Sequence, residues 1–422
     1  MFATVLIILF ISGYIIIALE HPLKVNKTAT ALLMAVLLWT IFSFIQSDIH
    51  LTLIELSENL SEVSQILFFL LGAMTIVEMI DAHKGFQTII KWIHTRKKVT
   101  LLWIIAFATF FLSSVLDNLT SSIVMVTLLR KFLDDRKSRI IFASIVILAA
   151  NAGGAWTPIG DVTTTMLWIG GRITSIGVIK SLFVPSVIAL VVPLTVQSFF
   201  IRGSINIADN HYDKHGKTEP YGRLVLFLGV GSLIFVPIFK TLTHLPPFMG
   251  ILLGVGLIWL TTDIIHSSHP ERQHLRIGHA LSKIDISSIL FFLGILLAVG
   301  SLSSAGILKN FASILDSSFS DNRIIIYILG LLSAVVDNVP LVAAGMGMWE
   351  LTSFPIDNTL WQMLAYCAGT GGSIFIIGSA AGVVVMGMEK IEFLWYARRI
   401  SIYALLGYTA GFIIYLLMSP VS

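Results

Sequence analysis

Ser113-Ser114-Val115-Leu116-Asp117-Asn118-Leu119-Thr120 sits in the middle of an otherwise apolar stretch, 100–129, that carries basic clusters at both ends. Lys91, Arg96, Lys97 and Lys98 precede the stretch, and Arg130, Lys131, Arg136, Lys137 and Arg139 follow it. Positive clusters belong on the cytoplasmic side of a membrane. A single crossing would carry one cluster outside, whereas a hairpin that enters and returns keeps both inside. Polar, non-helical backbone at membrane depth is tolerated only where it is buried in protein or lines a cavity. The stretch therefore predicts a re-entrant hairpin over 100–130 with an acid and an amide at its tip. A second stretch, 324–350, predicts another hairpin, centred on Ser333-Ala334-Val335-Val336-Asp337-Asn338-Val339-Pro340.

Composition places both hairpins in a membrane. Of 422 residues, 56% are hydrophobic and only 12% are charged, about half the roughly 25% of a soluble domain. Mean hydropathy is +0.90. That balance excludes a soluble enzyme, and a net charge of +3 without a basic tract excludes a nucleic-acid partner. The single cysteine, Cys367, excludes a disulfide framework. Apolar runs of spanning length are expected at 2–20, 28–46, 65–82, 182–201, 224–242, 246–263, 286–305 and 400–418. Two longer stretches, 140–170 and 360–388, are broken by glycine and polar residues. The first run has no preceding Lys or Arg and no small-residue cleavage site, so it reads as an anchor rather than a secretory signal. Glu55, Glu58 and Glu62 read as marking a separate interfacial helix.

The resulting topology has ten crossings, with both termini outside. Of the 27 Lys and Arg, 22 then fall in the inner loops 21–27, 84–99, 130–139, 202–223, 266–285 and 389–399. The halves also resemble each other. Ile66-Leu67-Phe68-Phe69-Leu70 recurs as Ile289-Leu290-Phe291-Phe292-Leu293. The Ser-x-x-x-Asp-Asn pattern of 113–118 recurs at 333–338, and Gly153-Gly154 with Gly160 recurs as Gly371-Gly372 with Gly378. The expected fold is an all-α polytopic membrane protein, an inverted repeat of five transmembrane helices plus one re-entrant hairpin each, with interrupted helices at the midplane. Residues 1–205 form the first repeat, 206–221 a cytoplasmic linker and 222–422 the second. Inverted repeats with broken helices are the mark of secondary transporters, with the site where the repeats meet. No catalytic residue is expected.

An ionisable group inside the membrane is costly and is a functional candidate by default. Asp117 with Asn118 and Asp337 with Asn338 offer hard oxygen donors of the kind alkali cations require. Ser113, Thr120 and Ser333 lie beside them. Capping of a half-helix is the plain alternative for each acid. Within Asn151-Ala152-Gly153-Gly154-Ala155-Trp156-Thr157-Pro158-Ile159-Gly160-Asp161, proline frees a carbonyl and glycines allow close approach. Asn151, Asp161, Thr163 and Thr164 are ligand or proton-relay candidates. The partner segment, around Gly371-Gly372-Ser373, lacks an acid: Ser379 stands where the first half has Asp161. Ser373 and the intramembrane Glu78 are secondary candidates. Four histidines, His266, His269, His274 and His279, cluster in one cytoplasmic loop, where titration near neutrality would sense pH; a plain solvated loop is the favoured reading.

Together these residues resemble a known family. Phe69-Leu70-Leu71-Gly72-Ala73-Met74, Glu78-x-Ile80-Asp81-x-His83-x-Gly85-Phe86, the two Asp-Asn hairpins and Thr157-Pro158-Ile159-Gly160-Asp161-Val162-Thr163-Thr164 are similar to NhaD-type sodium/proton antiporters of the ion transporter superfamily. The resemblance spans about 60–415. It implies a bacterial inner (cytoplasmic) membrane exchanger of Na⁺ or Li⁺ for H⁺, commonly a homodimer, with Na⁺ held at Asp117, Asn118, Asp337 and Asn338 and no cofactor. Two other readings stand beside it. One is a same-fold anion or dicarboxylate transporter, disfavoured by acids at the hairpin tips. The other is an intramembrane aspartyl protease, disfavoured because Pro158-Ile159-Gly160-Asp161 lacks the first glycine of the Gly-x-Gly-Asp pattern.

Overall fold

The computed structural model describes residues 2–18, 20–46, 49–86, 95, 97–133, 135–201, 203, 219–319 and 321–419. Most of the expected linker, 206–221, lies outside them, as do Lys91 and Arg96. The described chain is helical, with no β-strand.

The first half opens with α1 (Phe2–Ala18), α2 (Lys27–Ile45) and α3 (Ile49–Ala82). Here the structure corrects an expectation: α3 is one continuous 34-residue helix, about 51 Å long at 1.5 Å per residue, rather than an interfacial helix followed by a span. No glycine or proline interrupts 49–71, so the three glutamates lie on an uninterrupted rod. The hairpin follows as α4 (Lys98–Leu116) and α5 (Asn118–Phe132), which pack on each other. Then come the broken pair α6 (Arg136–Gly154) and α7 (Val162–Ile169), and α8 (Ser175–Phe200).

The second half repeats this order. It contains α9 (Gly222–Thr243), α10 (Pro247–His266), α11 (Ile286–Ser304) and the short α12 (Ile307–Ser318). The stretch expected as the second hairpin holds α13 (Asn322–Leu332) and α14 (Asn338–Met348), which pack against other helices rather than closely on each other as α4 and α5 do; the second broken pair is α15 (Thr359–Gly371) and α16 (Ala380–Glu389). The short α17 (Phe393–Arg399) and the final α18 (Ser401–Met418) complete it. At 11 residues, α13 and α14 are each about 17 Å long, too short to cross the roughly 30 Å hydrocarbon core. Nine described helices are long and apolar enough to cross a membrane, including the hairpin arm α4. Exposed Leu33, Val36, Phe199, Phe227, Leu242 and Leu260 give the outside of the bundle a lipid-compatible surface.

Packing pairs recur between the halves. Helix α10 packs on α3, and α2 on α11; α4 packs on α6, and α13 on α15. Each short half-helix lies against the hairpin arm of the other half, α16 on α5 and α7 on α14. Individual atoms follow the same rule. Ser113 Oγ donates to Ala150 O at 2.6 Å, and Ser333 Oγ to Ala368 O at 3.1 Å. A Cβ at Gly160 would lie 2.8 Å from Ser113 O, and one at Gly378 2.6 Å from Ser333 O. Either alanine would force main chain apart, so the recurring glycines mark backbone crossings between hairpin and broken helix.

Candidate functional site

The hairpin tip in the first half turns at Asp117, whose φ of 101° and ψ of 159° lie in a region that side chains rarely adopt. Such a conformation costs about 1–3 kcal/mol and persists only where surroundings enforce it. Both carboxylate oxygens are held by one residue: Oδ1 accepts from Thr120 N and Oδ2 from Thr120 Oγ1, each at 2.8 Å. Asp117 therefore caps α5, as the plain reading expected.

Asn118 points the other way, into the core. Its Nδ2 donates to Asp161 Oδ2 at 2.8 Å and to Asn151 Oδ1 at 3.0 Å. Asn151 in turn donates from Nδ2 to Ser373 Oγ and Ser379 Oγ, both at 2.9 Å. Asp161 Oδ1 accepts from Thr163 N at 3.0 Å, capping α7, while Ser379 Oγ caps α16 by accepting from Gly382 N at 3.2 Å. Asp161, Asn118, Asn151, Ser373 and Ser379 thus form one buried chain of polar side chains running from the first half to the second. None of these residues is basic. Each sits where a helix starts or breaks, because only there are side-chain oxygens and unpaired backbone groups brought together.

Thr163 is buried beside the acid, and its Oγ1 makes no hydrogen bond within 3.5 Å of a protein atom. Thr164 is committed instead: its Oγ1 donates to Asp161 O at 2.9 Å and Gly154 O at 3.3 Å. Ser113 and Ser333 are likewise occupied with backbone carbonyls and serve as pins between elements.

The second hairpin tip faces a separate space. Asp337 Oδ1 accepts from Val339 N at 3.1 Å and caps α14. Its neighbour Asn338 is buried with Nδ2 unpaired. Asp337 lines a cavity of about 70 Å³ together with Tyr14, Glu20, Lys27, Phe291 and Ser379. Ser379 therefore touches both the polar chain and the Asp337 cavity. The sequence reading noted it only as the counterpart of Asp161; its position at the N-terminus of a half-helix was the available signal. The structure thus unites Asn118, Asn151, Asp161 and Ser373, and does not bring Asp117 and Asp337 into one bonded set.

A larger cavity of about 330 Å³ is lined by Glu78, Asp81, Lys84, Lys283 and Asp285 and by Leu119, Thr120, Ile123 and Val124. Thr120, which holds Asp117, is thus part of its wall. Glu78 sits within it, 3.6 Å from Lys283 Nζ. Beyond the end of α3, His83 and His266 are both buried, with Nε2 atoms 3.1 Å apart. His266 is therefore packed in the protein, not part of a solvated loop.

Comparison with known proteins supplies names for similar chains. Residues 7–365 match the family model described as CitMHS, citrate transporter. The chain is 54% identical over 412 residues to sodium/proton antiporter 2 of Arabidopsis thaliana, covering 97% of this chain and 98% of that one. It is 52% identical over 412 residues to sodium/proton antiporter 1 of the same plant, covering 97% and 71%. It is 30% identical over 450 residues to the Na(+)/H(+) antiporter NhaD of Vibrio cholerae, covering 99% and 92%.

Proposed function

We propose that this chain, which belongs to the CitMHS transporter family and is a relative of the NhaD sodium/proton antiporters, exchanges Na⁺ or Li⁺ for H⁺ by alternating access. The observation that carries this reading is the buried Asp161 carboxylate, hydrogen-bonded at 2.8 Å to Asn118 in a chain of neutral oxygens from both halves. A bare carboxylate away from water is unfavourable, so the site holds either a proton or a cation when it changes access. Competition between the two is exchange. Asp117, Asp161, Asn118, Asn151 and Thr163 form the first site in this account. Asp337 and Asn338, with the cavity at Ser379, form a second. The 330 Å³ cavity is the route from the cytoplasm, with Glu78 on its wall.

The recurring contacts support two repeats, 1–205 and 222–422, and the charge balance of their loops supports opposite orientation across the membrane. A bacterial inner-membrane location is proposed from the bacterial relatives. A homodimer is part of the proposal.

The family model's description raises a second reading, citrate or another carboxylate as cargo. The absence of basic side chains from the Asp161 chain argues against it, since an anion there would meet the Asp161 carboxylate. Everted vesicles with a ΔpH-reporting dye separate the two. Na⁺ or Li⁺ should collapse an acid-interior gradient, and citrate or succinate should not. A response to the carboxylates and none to the cations would reverse the assignment.

A further inference from the structure

Glu389 is the last residue of α16, and its side chain is only 2% exposed. A carboxylate at a helix C-terminus faces the negative end of the helix dipole, so α16 itself disfavours it there. The compensation comes from the other half of the chain. Arg130 Nε donates to Glu389 Oε1 and Arg139 Nε to Oε2, each at 2.7 Å. Arg130 also donates to Met388 O, and Arg136 Nη2 to Lys390 O at 3.3 Å.

The placement of these charges follows the placement of the site. Helix α5 carries Asn118 at its start and Arg130 near its end. Helix α6 carries Arg139 near its start and Asn151 near its end. Helix α16 has Ser379 as its N-cap and Glu389 at its end. Three helices that pack together thus each hold one member of the polar chain and, about 15–18 Å away along the axis, one member of the charge cluster. An axial slip of about 1 Å in any of them would take a 2.9 Å bond at the site beyond hydrogen-bonding range.

Resting on the antiport reading, we propose that Arg130, Arg139 and Glu389 form a positioning clasp that fixes the register of α5, α6 and α16, so that Asn118, Asn151 and Ser379 meet around the transported cation. Glu389 touches no substrate; it acts through Ser379.

The test uses purified full-length protein in proteoliposomes, with Na⁺-dependent proton movement read as KM and Vmax. Glu389→Gln should raise the Na⁺ KM by about two- to thirtyfold, the range of 0.5–2 kcal/mol typical of remote coupling. Arg130→Gln, which leaves Glu389 its Arg139 partner, should shift KM the same way by less and decides the matter if Glu389→Gln fails to fold. In a Ser379→Ala background the Glu389→Gln effect on KM should largely vanish. A clasp that only stabilises the fold would lower the melting temperature or Vmax and leave KM unmoved; that result overturns the proposal, as does a KM effect that persists in full without the Ser379 hydroxyl. A wild type that moves no protons on Na⁺ addition refutes antiport itself, and the clasp's role in it.

Discussion

Asp161→Asn and Asp161→Ala separate a structural cap from an ion site. Asp161 does two things in the structure: Oδ1 accepts from Thr163 N at 3.0 Å, and Oδ2 accepts from Asn118 Nδ2 at 2.8 Å. Asparagine caps a helix about as well as aspartate, so the first bond survives Asp161→Asn. The new amide NH₂ then faces the Asn118 NH₂, donor against donor. The polar chain can answer by reversing direction. Asn118 turns its oxygen toward position 161, Asn151 turns in step, and the Ser373 and Ser379 hydroxyls donate where they had accepted. The number of bonds is kept, but a charge-assisted bond of about 1.5–3 kcal/mol becomes a neutral one of about 0.5–1.5, a loss near 1 kcal/mol. Asp161→Ala removes the cap, about 1 kcal/mol. It also leaves an Asn118 hydrogen buried and unpaired, about 1–3 kcal/mol. Its total loss is about 2–4 kcal/mol. Melting in detergent and dye-reported exchange in vesicles read the two effects separately. Asp161→Asn should melt close to wild type yet lose exchange, because the site no longer has a charge to pass between H⁺ and Na⁺. Asp161→Ala should lose exchange and melt lower. Near-wild-type Na⁺ KM and pH profile in Asp161→Asn would refute the reasoning and leave Asp161 a cap.

Further outcomes follow from the same geometry. Asp117→Asn keeps volume and one acceptor for Thr120, so it should insert normally and abolish Na⁺-dependent proton release at matched expression; unchanged exchange would remove Asp117 from the site. Asn151→Ala cuts bonds to Asn118, Ser373 and Ser379 at once. At about 1–3 kcal/mol for the buried groups left unpaired, it should weaken apparent Na⁺ affinity by roughly 5- to 150-fold. In a Cys367→Ser background, Lys137→Cys should be labelled only from the cytoplasm and Pro355→Cys only from outside; labelling of both from one side would overturn the two-hairpin topology. Burial lowers the pKa of His83, so it stays neutral in the fold at pH values where the unfolded chain, titrating near its ordinary value of about 6.5, takes up a proton. Stability should be full above that pH and fall as pH drops through it, and His83→Gln should flatten the slope of melting temperature between pH 7 and pH 5.

Much of the architecture could be read from run lengths and their interruptions. Aspartate and asparagine in the middle of the apolar stretch 100–129, and the glycine pairs before Asp161 and Ser379, announced the breaks where α4 meets α5 and where α6 and α15 end, because such residues are costly in an intact membrane helix. Asn118, Asn151 and Asp161 followed from the same signal, since few polar side chains lie so deep in apolar sequence. Other features depend on partners far away in the chain. Glu389 opens the stretch 389–399 that the sequence places in an inner loop; its burial is set by Arg130 and Arg139, 259 and 250 residues earlier. His266 looks like one of a loop cluster until His83 is placed 3.1 Å from it. The link from Asn151 to Ser379 crosses 228 residues, and nothing local to either residue encodes it. The three glutamates of 55–62 suggested a surface helix, whereas helix continuity was decided by the lack of any breaker before Gly72.

Uptake of radioactive Na⁺ into proteoliposomes with an acidic interior, containing purified protein and no other ion carrier, tests the exchange most directly. The account predicts Na⁺ accumulation that follows the pH gradient, proceeds without any carboxylate present and is abolished in Asp117→Asn and Asp161→Asn. Uptake no greater than in protein-free liposomes, or uptake that requires added citrate, would contradict it.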